Sequence, residues 1–492
     1  MTGIPTARIV AALDREGLLA QCIGPLPDRV RGITDDSRDV VPGGMFAATR
    51  GSTRDRHDFL PDAERAGAAA AIVEQPDRTS LPSLVVTDGR RAAAIAAAAY
   101  YDEPGRHLSI HAVTGTNGKT TTVGILRHLL DAPGARAASI GTLGVLVGSE
   151  GAPVLGGAGL TTPGPIELQR VLRELVDRGA RWLAMEVSSH SLDQRRVEGI
   201  RFDAAVFTNL TRDHLDYHGS MDAYRDAKLR LLDHLAPGGV AVVNQDDPVW
   251  NTMRALRHKA TFGIHSPSAS VRATDISFSP RGSDWTLSTA VGNRQARVRL
   301  PLIGAFNVSN ALAAATAVWA RGGKIEEIAE RLATLPQVPG RLELLHERPT
   351  VLRDYAHTPD ALARALDAVR TVTPGRLIVV FGCGGDRDPG KRPQMGAIAE
   401  QKADRVIITS DNPRTEDPER ILDDIARGMS RRDYERIEER RSAIARALEI
   451  ADAPGDVVLL AGKGHETYQI RGTVQLHFDE REIVGELLGE AA

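Results

Sequence analysis

Several stretches of this chain carry near-continuous apolar residues where an amphipathic surface strand would alternate. Leu108–Val113, Arg181–Val187, Ala204–Thr208 and Gly239–Val243 form one group, and Leu377–Phe381, Asp404–Thr409 and Asp456–Leu460 a second. Segments with helical periodicity separate them, such as Val123–Leu130. Short runs buried on both faces, joined by helices, predict parallel sheets covered on both sides. Shorter apolar runs, Ala69–Val73 and Leu84–Thr87, predict a further small sheet near the start. The proline- and glycine-containing segments Asp102–Arg106 and Leu335–Arg341 interrupt the pattern and read as boundaries. The predicted architecture is α/β with three domains, at 1–107, 108–336 and 337–492.

The polar residues that end these runs carry the candidate chemistry. After Leu108–Val113 comes Gly115-Thr-Asn-Gly-Lys-Thr120 and then the helical run. Strand, glycine loop, helix is a geometry that cradles phosphates: glycines let backbone N–H groups approach the oxygens, Lys119 adds charge, and Thr120 can place a hydroxyl on Mg²⁺. The common pattern has a further glycine where Val113 stands. Lys119 is expected in an exposed loop. In the last third, three consecutive runs discharge into Gly382–Asp388, Ser410–Arg414 and Ala461–Glu466. Ligands of open parallel sheets bind at the carboxyl ends of strands, so three such tips predict a second binding edge.

Composition narrows the classes. The chain has 492 residues, 42% hydrophobic and 25% charged, as in an ordinary globular protein. A net charge of −3 implies no basic surface for nucleic acid, and 4% aromatics argue against base stacking. The arginine-rich segment Arg431–Arg441, interleaved with acids, reads as a solvated helix face. Two distant cysteines, Cys22 and Cys383, give neither a disulfide framework nor zinc spacing. No signal-peptide pattern opens the chain, and no apolar run reaches the roughly 18 residues of a membrane span. The expectation is a cytoplasmic protein with no membrane contact.

Gly115–Thr120, Glu186-Val-Ser-Ser-His190, Asn209-Leu-Thr-Arg-Asp-His-Leu-Asp216, Asp354-Tyr-Ala-His-Thr-Pro359 and Gly462-Lys-Gly-His-Glu466 together resemble the Mur ligases, in the same order along the chain. Asp36-Ser-Arg38 and Asp411-Asn-Pro-Arg414 narrow the resemblance to members that add the third amino acid of the peptidoglycan stem peptide. The resemblance implies a UDP-substrate domain, a central ATPase domain and a C-terminal Rossmann-like domain that takes the amino acid. It implies a monomer that phosphorylates the side-chain carboxylate of D-glutamate in UDP-MurNAc-L-Ala-D-Glu with ATP, then couples the acyl phosphate to the amine of meso-diaminopimelate.

Residue by residue, the resemblance implies that ATP meets Gly115, Thr116, Asn117, Gly118, Lys119, Thr120 and Thr121, with Asn307, Asn310, Arg341 and Asp354 bordering it. Magnesium would use Thr120, Glu186, His214 and Lys228, and Lys119, Glu186, His214 and Lys228 would form the catalytic set. Lys228 on its own reads as a solvated helix lysine; the resemblance makes it a carbamylated one, an oxygen-donor anion formed from CO₂. The UDP-MurNAc dipeptide would meet Ser37, Thr161, Thr162, Ser188, Gln194 and Arg196, although Leu160 stands where relatives often carry asparagine. Diaminopimelate would meet Arg387, Asp411, Asn412, Pro413, Arg414, Gly462 and Glu466. Arg414 suits the carboxylate that lysine lacks, because its planar fork can hold it with two charge-assisted hydrogen bonds. The alternatives are a lysine-adding relative and, from another class, a P-loop switch NTPase, which has no use for Asp411–Arg414 or Gly462–Glu466.

Overall fold

The computed structural model describes residues 3–51, 54–154, 160–431 and 433–489. The chain divides into two compact units, Met1–Val271 with Ala313–Lys324, and Arg272–Leu312 with Ile325–Ala492.

The first unit holds two sheets. Five short strands form the smaller, in the order Leu19–Ile23, Ser83–Val86, Ala70–Val73, Met45–Ala47, Ile33–Thr34. The first pair is antiparallel and the rest parallel. Helix Gly89–Tyr100 packs on it, with every residue from Ala92 to Ala99 buried. Seven of those eight are alanines, and short side chains let this helix lie close against helix Thr6–Arg15.

The larger sheet places strand Ser109–Thr114 centrally. Ala180–Glu186 flanks it on one side and Phe202–Phe207 on the other, both parallel. Arg136–Gly141 lies outside the former, and Leu235–Asn244 followed by Lys259–Gly263 outside the latter. The apolar pattern follows from this: Ile110, Ala112, Ile140, Leu183, Met185 and Phe207 all join one core with Leu168, Leu172 and Leu175 of helix Pro165–Asp177. Helix Lys119–Leu130 begins at the lysine, four residues before the apolar run that predicts it.

In the second unit a six-stranded sheet runs Glu343–Glu347, Thr350–Asp354, Val457–Ala461, Leu377–Phe381, Arg405–Ile408, Glu435–Arg436. All neighbours are parallel except the first pair. Leu377, Val379 and Phe381 enter one core while Ile378 and Val380 enter the opposite one, so the uninterrupted apolar run is a strand covered on both faces. Here the arginine-rich segment departs from expectation. It is not one helix face: Glu435–Arg436 closes the sheet edge, and the next helix starts only at Arg440. Nor is Arg440 solvated. It is fully buried, ion-paired at 2.8 Å with the equally buried Glu480, and donates to the Ser410 and Ala461 carbonyls at two of the strand tips.

Cys22 is exposed and Cys383 buried, and neither is disulfide-bonded. No described helix is long and apolar enough to cross a membrane.

Candidate active site

The glycine loop is held from the neighbouring strand's tip. Gly115 has φ +148°, and a Cβ there would lie 1.9 Å from the Thr208 hydroxyl, so no other residue fits. Thr116 N–H donates to the Asn209 carbonyl (2.7 Å) and Asn117 N–H to the Asn209 side chain (2.9 Å), while Thr208 donates to the Asn117 carbonyl (2.7 Å). Thus Asn209 braces the loop, a role the sequence marks only through its place in Asn209–Asp216.

Lys119 is half-buried instead of standing in an exposed loop. It is the first helical residue, and its Nζ curls back to the Gly115 (2.9 Å) and Thr116 (2.8 Å) carbonyls. Lys228, on helix Met221–Leu229, is 1% exposed and donates to the same Gly115 carbonyl at 2.9 Å. Its ammonium also lies 4.4 Å from the Tyr224 ring centre. Burial, reinforced by the Lys119 charge and partly opposed by Asp213, pushes the Lys228 amine well below its ordinary pKa. The expectation of a solvated helix lysine from sequence alone fails here.

Glu186 ends the strand beside the loop, opposite Val113, and is 1% exposed. Its oxygens accept the Thr142 N–H (2.8 Å) and hydroxyl (3.2 Å). No cation among the described residues pairs with it. His214 adopts φ +53° at the head of a short helical turn. Burial, aided by the Lys119 and Lys228 charges and opposed by Asp213, lowers its pKa and keeps a ring lone pair available. A buried carboxylate without a cation, the buried Thr120 hydroxyl and a neutral imidazole fit a magnesium ion. Among the described residues no three His, Cys, Asp or Glu converge on one point. That suits an ion that takes one or two protein carboxylates and completes its shell with phosphate and water.

A second cluster adjoins Glu186. Its carbonyl accepts the Thr162 hydroxyl (2.9 Å), which in turn accepts Ser188 N–H (3.2 Å). Thr161 reaches the Thr142 hydroxyl at 3.4 Å. Arg196 donates to the Thr162 carbonyl (2.9 Å) and through two nitrogens to Gln194 (2.6 and 3.1 Å), and no described carboxylate pairs with it. Burial lowers its pKa, and the Arg56 and Arg90 charges lower it further. Thr161, Thr162, Ser188, Gln194 and Arg196, which the resemblance implies for the dipeptide, therefore lie together around a cationic centre suited to an anion. Ser37 is half-buried in the turn Ser37–Asp39, and no hydrogen bond ties it to the cluster. Arg56, ion-paired to Asp35 at 2.9 Å, and Arg90 are cations that the sequence reading missed; nothing in their local pattern marks them.

In the second unit the strands ending at Phe381, Ile408 and Ala461 are adjacent, so the three polar tips meet. Gly462 has φ +114°, and a Cβ there would lie 2.5 Å from an Asp411 oxygen. Arg414, at φ +51°, donates to the Gly385 carbonyl at 2.8 Å and has no carboxylate partner among the described residues. Arg387 is exposed and reaches only the Asp386 carbonyl, at 3.3 Å. Glu466 accepts from Asn412 (2.8 Å) and from Lys463 (3.3 Å). Lys463, fully buried, also donates to Asn412 at 3.1 Å and lies 3.8 Å from Asp411. This lysine holds three of the predicted residues together; its only sequence signal is its place in Gly462–Glu466. Pro413 is buried between Asn412 and Arg414.

The remaining predicted nucleotide residues also lie in this unit. Asn307 and Asn310 are buried on one helix and bonded to each other (3.3 Å). Arg341 stacks 5.0 Å from the Tyr355 ring. Asp354 accepts Leu342 N–H at 2.8 Å, and burial raises its pKa to about 6 against the pull of Arg341.

Comparison with known proteins places most of the chain in one family. Residues 113–318 match the Mur ligase middle domain, and residues 340–464 the family described as Mur ligase, glutamate ligase domain. A protein of Geobacter metallireducens named UDP-N-acetylmuramoyl-L-alanyl-D-glutamate--2,6-diaminopimelate ligase is 44% identical over 490 residues, covering 94% of each chain. One of the same name from Gloeobacter violaceus is 44% identical over 496 residues, covering 99% of each. A solved structure of a ligase with that name superposes with a TM-score of 0.71 at 34% identity, covering 99% of both chains.

Proposed function

The chain belongs to the Mur ligase family, and from that premise we propose that it joins meso-2,6-diaminopimelate to UDP-MurNAc-L-Ala-D-Glu. It is an ATP-dependent, amide-bond-forming ligase of peptidoglycan precursor synthesis. The observation that carries the choice of amino acid is the Arg414 fork, which has no carboxylate partner among the described residues and shares its strand tip with Asn412, the residue bonded to Glu466 of the adjoining tip. A guanidinium that its own fold pairs with a carbonyl and with no carboxylate is complementary to a ligand carboxylate.

The chemistry follows from the charges. The glutamate side-chain carboxylate attacks the γ-phosphorus of ATP, and ADP leaves; the amine then attacks the acyl phosphate, and the tetrahedral intermediate collapses to the amide and phosphate. Two anions must first be brought together. Lys119 neutralises phosphate oxygens, the N–H groups that open helix Lys119–Leu130 favour the same anion, and Arg196 with Thr162 and Ser188 holds the dipeptide end. Glu186, Thr120, His214 and Lys228 would hold a magnesium ion, which would supply further charge neutralisation. In this reading Lys228 is carbamylated: a neutral buried amine adds CO₂ and loses a proton, which turns one of two crowded cations into an anion. Asn307, Asn310, Arg341 and Asp354 border the nucleotide. Arg387 takes the amino-acid carboxylate near the reacting amine, Glu466 the distal ammonium, and Arg414 the distal carboxylate, with Asp411, Asn412, Pro413 and Gly462 shaping the pocket. The same reading makes the protein a cytoplasmic monomer.

Arg414→Ala tests the assignment. The KM for diaminopimelate should rise on the order of 100-fold, as for loss of a charge-assisted pair, while the KM values for ATP and the UDP-linked dipeptide hold. An unchanged KM for diaminopimelate would remove Arg414 from the amino-acid site.

A further inference from the structure

Away from the phosphate loop, the first unit contains a cleft of about 550 Å³. Helices Thr6–Arg15, Gly89–Tyr100 and Pro165–Asp177 contribute to its walls, with the turns around residues 103–106, 195–201 and 233–234. None of its lining residues belongs to the ATP, dipeptide or amino-acid sets. We propose that this cleft binds a phosphomonoester of sugar or nucleotide size.

Its lining carries five arginines against four carboxylates, Glu16, Glu103, Glu198 and Asp233. Glu103 pairs with both Arg15 (3.1 Å) and Arg106, and Glu198 with both Arg195 (3.1 Å) and Arg91 (3.7 Å). Two carboxylates thus hold four guanidiniums. A fifth, Arg201, donates only to the Asp233 carbonyl (2.8 Å), and the Asp233 carboxylate is taken by Arg254. Each guanidinium has five N–H donors, so most remain available to a ligand, and phosphate is the anion their fork geometry matches.

The second observation is independent of charge. Gln169 and His234 both line the cleft, at 1% and 7% exposure. Neither the amide nor the imidazole has a hydrogen-bond partner among the described residues. Both line the cleft, so their polar groups can meet a ligand there. Ile95 and Ala98 add an apolar wall beside Gly199, where a Cβ would lie 3.2 Å from Ile95. An anionic end on a polar body describes a phosphorylated sugar or nucleoside.

The test is calorimetric titration of the full chain saturated with ADP and UDP-MurNAc-L-Ala-D-Glu, so that both substrate sites are filled. Ribose 5-phosphate and uridine 5′-monophosphate are the probes, with ribose as the uncharged control. Saturable binding of either probe, at least about 10-fold weaker in Arg15→Ser/Arg106→Ser, is the expected result; the tighter probe identifies the source of the phosphate. Both arginines are more than half exposed, so the double variant should fold, and Gln169→Leu should weaken binding without touching the charges. No saturable heat from either probe, or equal affinity in the double variant, overturns the proposal.

Discussion

Lys119 and Lys228 donate to one carbonyl, that of Gly115, at 2.9 Å each. Two ammonium groups that close, one of them fully buried, repel each other, and the cheapest relief is for the buried amine to lose its proton. Carbamylation needs that neutral amine. Lys228→Ala should therefore be nearly inactive with its fold intact, and added formate or acetate should partly restore turnover by replacing the lost oxygen donor. No rescue by any short carboxylate, together with no carbamate signal after incubation with isotope-labelled CO₂, would rule the modification out. A different residue contributes to acid sensitivity. His111 is buried in the central strand, both ring nitrogens lack a hydrogen-bond partner among the described residues, and burial lowers its pKa to about 4. The folded value lies below the unfolded one of about 6.5, so the unfolded chain binds the proton more readily. Stability is fully present above the unfolded pKa and falls as pH drops towards the folded one. Between pH 7 and pH 5 the loss should be about 2 kcal/mol. His111→Phe should flatten that part of the urea-midpoint profile; an unchanged profile would place the acid sensitivity elsewhere.

At the scale of elements, strand tips place the chemistry and their neighbours hold it. Gly115→Ala puts a Cβ 1.9 Å from the Thr208 hydroxyl, so the loop must leave its brace on Asn209. The KM for ATP should rise at least about 10-fold and the melting temperature fall, as for a strained backbone position carrying about 1–3 kcal/mol; an unaltered KM would mean that the brace does not set the nucleotide site. Much of this level was legible in the sequence. The runs Leu377–Phe381 and Asp456–Leu460 show as strands because both faces are buried, and Gly115–Thr120 shows because a phosphate loop needs its glycine, lysine and threonine in close succession. What was not legible depended on contacts between distant segments. Arg440 carries the composition of a solvated residue, yet pairs with Glu480, forty positions on. Arg56 and Arg90 carry no local mark, and they meet Arg196 only because two separate sheets fold into one unit. Burial of Lys228 likewise depends on the loop it packs under, not on its own helix.

Across the whole molecule, the residues of the reaction are divided. The loop, Glu186, His214, Lys228 and the dipeptide cluster belong to the first unit, while Arg414, Glu466, Arg341 and Asp354 belong to the second. On the proposed assignment neither unit alone carries both the phosphorylation and the amine residues, so turnover should belong to the intact chain. The identity of the amine is the point on which the functional reading stands. A site that places Arg414 opposite a ligand carboxylate leaves that charge unpaired when lysine enters, and discrimination on the order of 10³-fold or more is plausible where a site's polar groups lose their partners. The direct measurement is phosphate release by the unmodified protein with ATP and UDP-MurNAc-L-Ala-D-Glu, comparing kcat/KM for meso-diaminopimelate and for lysine. Release that requires the dipeptide substrate and favours diaminopimelate by several powers of ten is the predicted result; comparable values for the two amino acids would contradict it.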